Sequence, residues 1–246
     1  MELTRNVWIG MVLVAGLSAL LIGCASGPPA GIEVLESYVA AVGGDAFDGL
    51  QSRVATGKFE VADMGYKGEF TMSVVPPELG RLEIRIGTIA AASSGIKDGI
   101  AWDINPMTGA RILEANERGH ALRQFALDPV LAWQDSFEGA VVQEWEPEAP
   151  QIKVLIKNAD GDQVIFYFDN ETKLLTRMMT FINGQRLVSQ LEDYRDVDGV
   201  MIAHKVSNDM GGSISLEFSY DDVEHNVDIP AETFDFPEEI QKLIDE

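Results

Sequence analysis

The sequence predicts an α+β fold, a single curved antiparallel sheet with helices on its concave side, and three observations carry that expectation. From Gln151 to Tyr220 the chain reads as consecutive short strands separated by turn residues. Helical stretches beginning near Asn116 and Asp128 interrupt an otherwise strand-rich chain. No segment has the composition of a linker that would divide it into two cores. A sheet that is apolar on one side must bury that side, and helices gathered on one face of an antiparallel sheet are the α+β way of doing so.

The first residues fix an expected compartment. Val7 to Ile22 carries no charge and follows Arg5, the pattern of a signal-peptide hydrophobic region, and the run is short for a membrane-spanning helix. Leu21-Ile22-Gly23-Cys24 resembles the bacterial lipobox, in which cleavage precedes the cysteine and both its thiol and the new amino terminus are acylated. Residues 1–23 are therefore expected to be a lipoprotein signal peptide, Cys24 the lipidation site, residues 24–31 a tether containing Pro28-Pro29, and residues 32–246 one domain. Cys24 is the single cysteine, so no disulfide can form within the chain. The formal net charge is −22, from 40 acidic and 18 basic residues. That balance excludes nucleic acid as a partner and repels anionic surfaces, so membrane attachment is expected to rest on the lipid at Cys24.

The domain opens on an amphipathic helix with Ile32, Leu35, Val39 and Val42 at helical spacing, Glu33 and Glu36 in its first turn and Gly43-Gly44 at its end. Asp45 is placed to cap a second short helix reaching Leu50. Ser52 to Val61 and Gly65 to Val75 read as a hairpin about Asp63-Met64-Gly65, and Pro76-Pro77 ends its second strand. Arg81 to Ile89 sets Leu82, Ile84 and Ile86 against Arg81, Glu83 and Arg85, a half-buried strand. Strands follow at Ala91 to Lys97, Ile100 to Ile104 and Ala110 to Leu113, with Asp98-Gly99 among the turns between them. Asn116 is then expected to cap a helix carrying Leu122, Phe125 and Ala126, and Asp128-Pro129 to open another through Trp133. Glu146 to Pro150 is a polar connector, and Pro237 to Ile244 a short closing helix.

Turn chemistry sets the register of the central stretch. Asn183-Gly184 signals a two-residue type I′ hairpin, which opposes Ile182 to Gln185 and Thr180 to Leu187. One face then holds Leu174, Thr176, Met178, Leu187, Ser189 and Leu191; the other, with Leu175, Arg177, Met179 and Val188, is expected to meet water. Three-residue loops at Asn170–Thr172 and Asp160–Asp162 bring Val164, Phe166, Phe168, Ile152, Val154 and Ile156 to the first face. A one-residue slip would turn Lys153 and Lys157 inward. Ile214, Leu216, Phe218 and Tyr220 form one more alternating strand.

Signals for catalysis are weak. His120, His204 and His225 lack metal-binding spacing, Ser93-Ser94-Gly95 is not a nucleophile elbow, and Asp160-Gly161-Asp162 and Asp196-Val197-Asp198-Gly199 lack the ligand pattern of a calcium loop. No enzyme activity, cofactor or metal is expected.

Ala40-Ala41-Val42-Gly43-Gly44, the hairpin after Leu50, Asp98-Gly99-Ile100-Ala101-Trp102 with Pro106 and Gly109 beyond it, the turn from Phe168-Asp169 to Leu174-Leu175, and Asp193 to Val200 together resemble the LolA/LolB-like outer-membrane lipoprotein-sorting superfamily. The resemblance spans nearly the whole domain and implies a half-barrel sheet covered by helices over an apolar cavity for acyl chains. It implies a lipid-anchored envelope protein, at the outer membrane facing the periplasm, that binds the acyl chains of a lipid or lipoprotein as carrier or receptor. A periplasmic carrier or a membrane protein is the partner implied. The alternative is a non-enzymatic interaction or sensing module on the same fold. The expected cavity residues are Phe166, Phe168, Met178, Leu191, Leu216 and Phe218, beneath helices carrying Leu122, Phe125 and Trp133.

Overall fold

The computed structural model describes residues 27–87, 89–134, 137–158, 161–212 and 214–246. Cys24, the apolar run before it and Asp160 lie outside the described residues, as does the side chain of Trp133. The chain opens with α1 (Gly31–Val42) and a 3-10 turn at Gly44–Gly49. Six strands follow, β1 (Arg53–Val61), β2 (Tyr66–Val75), β3 (Leu79–Ile86), β4 (Ile89–Lys97), β5 (Ile100–Asn105) and β6 (Gly109–Ile112). Helices α2 (Ala115–Gln124) and α3 (Leu131–Gln134) separate these from β7 (Phe137–Gln143), β8 (Gln151–Asn158), β9 (Gln163–Asp169), β10 (Leu175–Ile182), β11 (Gln185–Val197), β12 (Val200–Met210) and β13 (Ser215–His225). A 3-10 turn at Ala231–Phe234 and α4 (Glu238–Asp245) complete the chain.

All thirteen strands form one antiparallel sheet, in the order β6-β5-β4-β3-β2-β1-β13-β12-β11-β10-β9-β8-β7. The sheet stays open as a curved half-barrel. Its two edges, β6 and β7, are joined through α2 and α3, so this helical segment straps one edge to the other. Two-residue turns at Asp98-Gly99, Asn183-Gly184 and Asp198-Gly199 have positive φ at both residues, the type I′ conformation whose twist matches that of the flanking strands.

The expected register about Asn183-Gly184 is present, with Ile182 opposite Gln185 and Thr180 opposite Leu187. The flanking loops differ in length, yet by even numbers. Lys157 pairs with Gln163, and Phe166 pairs with Met178, where a three-residue Asn170–Thr172 loop would have set it opposite Thr176. A longer turn, with Leu174 bonded to Asp169, combines with a bulge between Leu175 and Arg177. The two extra residues preserve the face. The bulge also corrects the expectation for Leu175, which lies opposite Phe168 and is fully buried.

Other boundaries shift for local reasons. In α1 the buried stripe is Val34, Leu35, Tyr38 and Val42, so Ile32 faces solvent. The Glu33 carboxylate accepts a hydrogen bond from the Ala30 amide at 3.1 Å, occupying one of the amides a helix start leaves unpaired. Asp45 lies inside its 3-10 turn, and α2 begins at Ala115, one residue before Asn116. Strand β7, unforeseen in the sequence, pairs with β8 through a bulge between Phe137 and Gly139.

The helices divide the inner face between them. α1 packs on β7, β8 and β12, while α2 packs toward β4, β5 and β10. The C-terminal segment crosses to the opposite, outer face of the N-terminal strands: Lys97 pairs with Asp235 at 2.7 Å and lies over the Phe236 ring, and Arg81 lies over Trp102. Phe234, Ile240 and Trp102 are buried there.

Candidate functional site

Two apolar clusters occupy the inner face. The first lies between α1 and β7–β10, where Tyr38 meets Phe168 with ring centroids 5.3 Å apart and Phe168 meets Phe166 at 5.9 Å. Its central side chains Val154, Val164, Phe166, Phe168 and Leu175 are at most 1% exposed. Met178, Leu191 and Leu174 pack against its margin. A glycine at position 31 is required: a Cβ there would stand 2.3 Å from the Ala140 carbonyl oxygen, so the start of α1 lies directly on the edge strand β7.

The second cluster spans β1–β4 and β13 and meets the C-terminal end of α2 through Leu122 and Phe125. Phe59, Phe70, Met72, Leu82 and Ile84 retain 2–8% exposure, and Leu216, Phe218 and Tyr220 are only half-buried. Phe218 meets Phe59 at 5.2 Å and Phe70 at 5.3 Å, and Phe70 meets Tyr220 edge-on at 5.0 Å. Gly57 lies opposite both Phe70 and Tyr220 across its strand. A Cβ at this position would approach the Phe70 ring to 2.8 Å, so the glycine makes room for the aromatic contact. Phe125 of the α2 end reaches down onto Gly80, and Leu122 and Leu127 pack beside it.

The structure therefore separates residues that the sequence reading grouped under one cover. Phe166, Phe168, Met178 and Leu191 belong to the first cluster; Leu122, Phe125, Leu216 and Phe218 belong to the second. α1 covers Phe166 and Phe168, and Val130 of the mid-chain helical segment joins the same cluster.

A buried polar seam ties the covers together, and sequence reasoning missed its central member. Arg53 on β1 donates from Nη1 to the Leu127 carbonyl at 2.8 Å and from Nη2 to the Ala126 carbonyl at 3.3 Å. Burial lowers its pKa. Asp128 accepts from the Val130 and Leu131 amides through Oδ1, at 2.8 and 3.1 Å, and from the Tyr38 hydroxyl through Oδ2 at 2.5 Å. Burial raises the Asp128 pKa, and burial followed by the Asp128 charge raises that of Tyr38, which stays a neutral donor. Burial also raises the pKa of Tyr194, whose hydroxyl donates to the Leu175 carbonyl at 2.7 Å. One signal pointed to Arg53: in the alternation of β1 it shares the face of Ala55, Gly57 and Phe59.

Elsewhere α2 is held by exposed or half-exposed polar links. Arg111 pairs with Asp103 at 2.9 Å and with Glu117 at 3.3 Å, Arg118 donates to the Gly99 carbonyl at 2.9 Å, and Arg123 pairs with Asp162 at 3.5 Å. Of its ten residues only Ala121 is buried. His120 on the same helix has its pKa lowered to about 4, by desolvation and then by Arg123. Among the described residues no cluster of three His, Cys, Asp or Glu side chains could hold a metal. No helix of those residues is long and apolar enough to cross a membrane.

An open antiparallel half-barrel with helices strapped across its apolar inner face defines a structural class. It is the LolA-like fold. A LolA superfamily protein from Nitrosomonas europaea superposes with a TM-score of 0.57 at 12% identity, over 85% of this chain and 99% of that one. A DUF1329 family protein from Desulfovibrio piger ATCC 29098 gives a TM-score of 0.58 at 10% identity, over 85% and 98%. No family model and no curated protein matches the sequence.

Proposed function

We propose that the protein is an envelope lipoprotein, acylated at Cys24, that holds the acyl chains of a lipid or lipoprotein as carrier or receptor in outer-membrane trafficking. The ligand lies on the second cluster, against Phe59, Phe70, Leu216 and Phe218 beneath α2. The observation that supports this reading is the half-burial of Leu216, Phe218 and Tyr220 in the middle of an aromatic cluster on the covered face. Apolar side chains left partly wet beneath a helix gain stabilisation when a hydrocarbon chain displaces that water. Acyl chains need little directional contact, so rings and Met72 suffice. Phe166 and Phe168 support the same scaffold from a closed core.

Fluorescent fatty-acid binding to the wild type and to Phe218→Ala tests the reading, together with mass spectrometry of lipids that co-purify with the chain lacking its acyl group. Expected are a bound lipid and a weakened probe. A lipid-free protein that ignores the probe would remove the proposal. Mass spectrometry of the mature amino-terminal peptide tests acylation separately, since an unmodified Cys24 would remove the anchor.

A further inference from the structure

The outer face of β7–β11 carries a feature that acyl binding on the inner face does not use. Val141 lies opposite Leu155, Leu155 opposite Ile165, Ile165 opposite Met179, and Met179 opposite Val188. Directly opposed residues of antiparallel strands share a face, so these five side chains form one unbroken apolar row across five strands. At strand spacing the row is roughly 19 Å long. Each alternates with inward residues of the first cluster or the buried Thr180, Leu187 and Ser189, so the row points away from α1. Val141 is 59% exposed, and Phe181, one pleat further along β10, is 54% exposed.

Basic residues flank the row on both sides. Lys157 and Arg186 lie on the Phe181 side; on the other lie Lys153, paired with Glu144 at 3.2 Å, and Arg177, whose guanidinium is 3.7 Å from the centroid of the Tyr167 ring. This occurs in a chain of net charge −22. The corresponding outer face of the N-terminal strands is occupied by the chain's own Phe234, Phe236 and α4. Among the described residues no helix is seated on the row.

We propose that the outer face of β7–β11 is a docking surface for a bilayer containing anionic lipid, with Val141 and Phe181 entering the interface and Lys157, Arg186 and Arg177 meeting headgroup phosphates. Long cationic side chains beside apolar and aromatic ones suit a boundary that is apolar below and anionic above. Screening over about 8 Å at physiological salt separates this patch from the acidic remainder. The tether gives independent geometry. It enters the fold at Gly31, packed on Ala140 of β7, the strand that carries Val141. Residues 24–30 reach at most roughly 25 Å, so a lipid at Cys24 would hold this edge beside the membrane. That last point rests on the acylation proposed above; the row and its flanks stand without it.

The thirteen-stranded sheet and both clusters are built from residues that follow Ala25, so a chain starting at Ala25, without acyl groups, carries all of them into the test. Its co-sedimentation is measured with vesicles of phosphatidylcholine alone and of equal parts phosphatidylcholine and phosphatidylglycerol. Binding to the anionic vesicles is expected, weaker binding to the neutral ones, and a loss on the order of tenfold or more for Lys157→Gln with Arg186→Gln. Phe181→Ser should weaken binding too. Lys67→Gln, which removes an exposed lysine on β2 outside the row and outside the acyl site, should leave vesicle binding unchanged. Absence of binding, equal binding to both vesicles, or unaffected variants would overturn the assignment. So would a concentration-dependent dimer that the same variants dissolve, which would give the face to a second copy.

Discussion

The two inner clusters are built from similar residues on one continuous sheet, yet they are finished differently. The cluster under α1 is closed, with its central rings at most 1% exposed and its cover seated by Val34, Leu35, Tyr38 and Val42. The cluster under α2 keeps half-buried aromatics, and its cover is held by Leu122 and Phe125, by the pairs Arg111–Glu117 and Arg123–Asp162, and by the seam at Arg53 and Asp128. Close packing is costly to disturb, whereas half-exposed polar links contribute little each. The difference assigns stability to one half of the sheet and accessibility to the other.

The largest effect expected from this contrast is at Phe166. Phe166→Ala empties a closed core and should cost about 3–5 kcal/mol in denaturant unfolding, with fatty-acid binding per folded molecule retained. Phe218→Ala, half-buried at the start, should cost less stability and more binding. Equal stability losses for the two variants would erase the distinction between a closed and an open cluster.

Arg53→Met keeps the aliphatic stem but leaves the Leu127 and Ala126 carbonyls without their donor. An unmet buried acceptor costs about 1–3 kcal/mol. The loss should appear as faster hydrogen exchange in α2 and α3 and not in α1; uniform exchange would show that the covers are not independent.

A smaller effect concerns Asp128. Its raised pKa means that the folded chain keeps a proton which the unfolded chain releases near its ordinary 3.8, so this group makes stability fall as pH rises from about 4 through the folded value. Asp128→Asn preserves an oxygen for the Val130 and Leu131 amides and should flatten that slope. Denaturant midpoints at several pH values decide it; an unchanged slope would place the titration elsewhere.

The last expected effect, confined to acid pH, is at His120, where burial disfavours the charged ring. Its folded pKa of about 4 lies below the ordinary 6.5, so its contribution is complete above 6.5 and is lost as pH falls towards 4. α1 contains no histidine. Acidification should therefore loosen α2 before α1 by hydrogen exchange, and His120→Gln should abolish the difference.

Features set by local chemistry were legible in the sequence. Asn183-Gly184 and Asp98-Gly99 announce their hairpins because few residues accept positive φ, and burial fixes which strand residues face inward. The bulge that buries Leu175 was not legible, because a bulge is a compromise between neighbouring strands and leaves no single-residue signature. Strand β7 escaped notice for a related reason: Gly139 and its own bulge interrupt the alternation. The division of the site into two clusters depends on which helix reaches which strands, and that follows from the pairing of β1 with β13 and the contact of Gly31 with Ala140. Arg53 carried a signal in its parity, but its partners lie some seventy residues away at Ala126 and Leu127.

The pairing of β1 with β13 also dictates how the chain reaches this state. Every other neighbouring pair of strands is consecutive in sequence, so β1–β6 and β7–β13 are two meanders that can zip from their own turns. The junction between them brings Arg53 opposite His225, across nearly the whole domain. Closing so long a loop carries a large entropic cost before any contact offsets it. The junction should therefore form after the meanders, and a nascent chain cannot complete its sheet until its last strand has been synthesised. Until then β1 and β13 are exposed edges, competent to pair with the wrong chain.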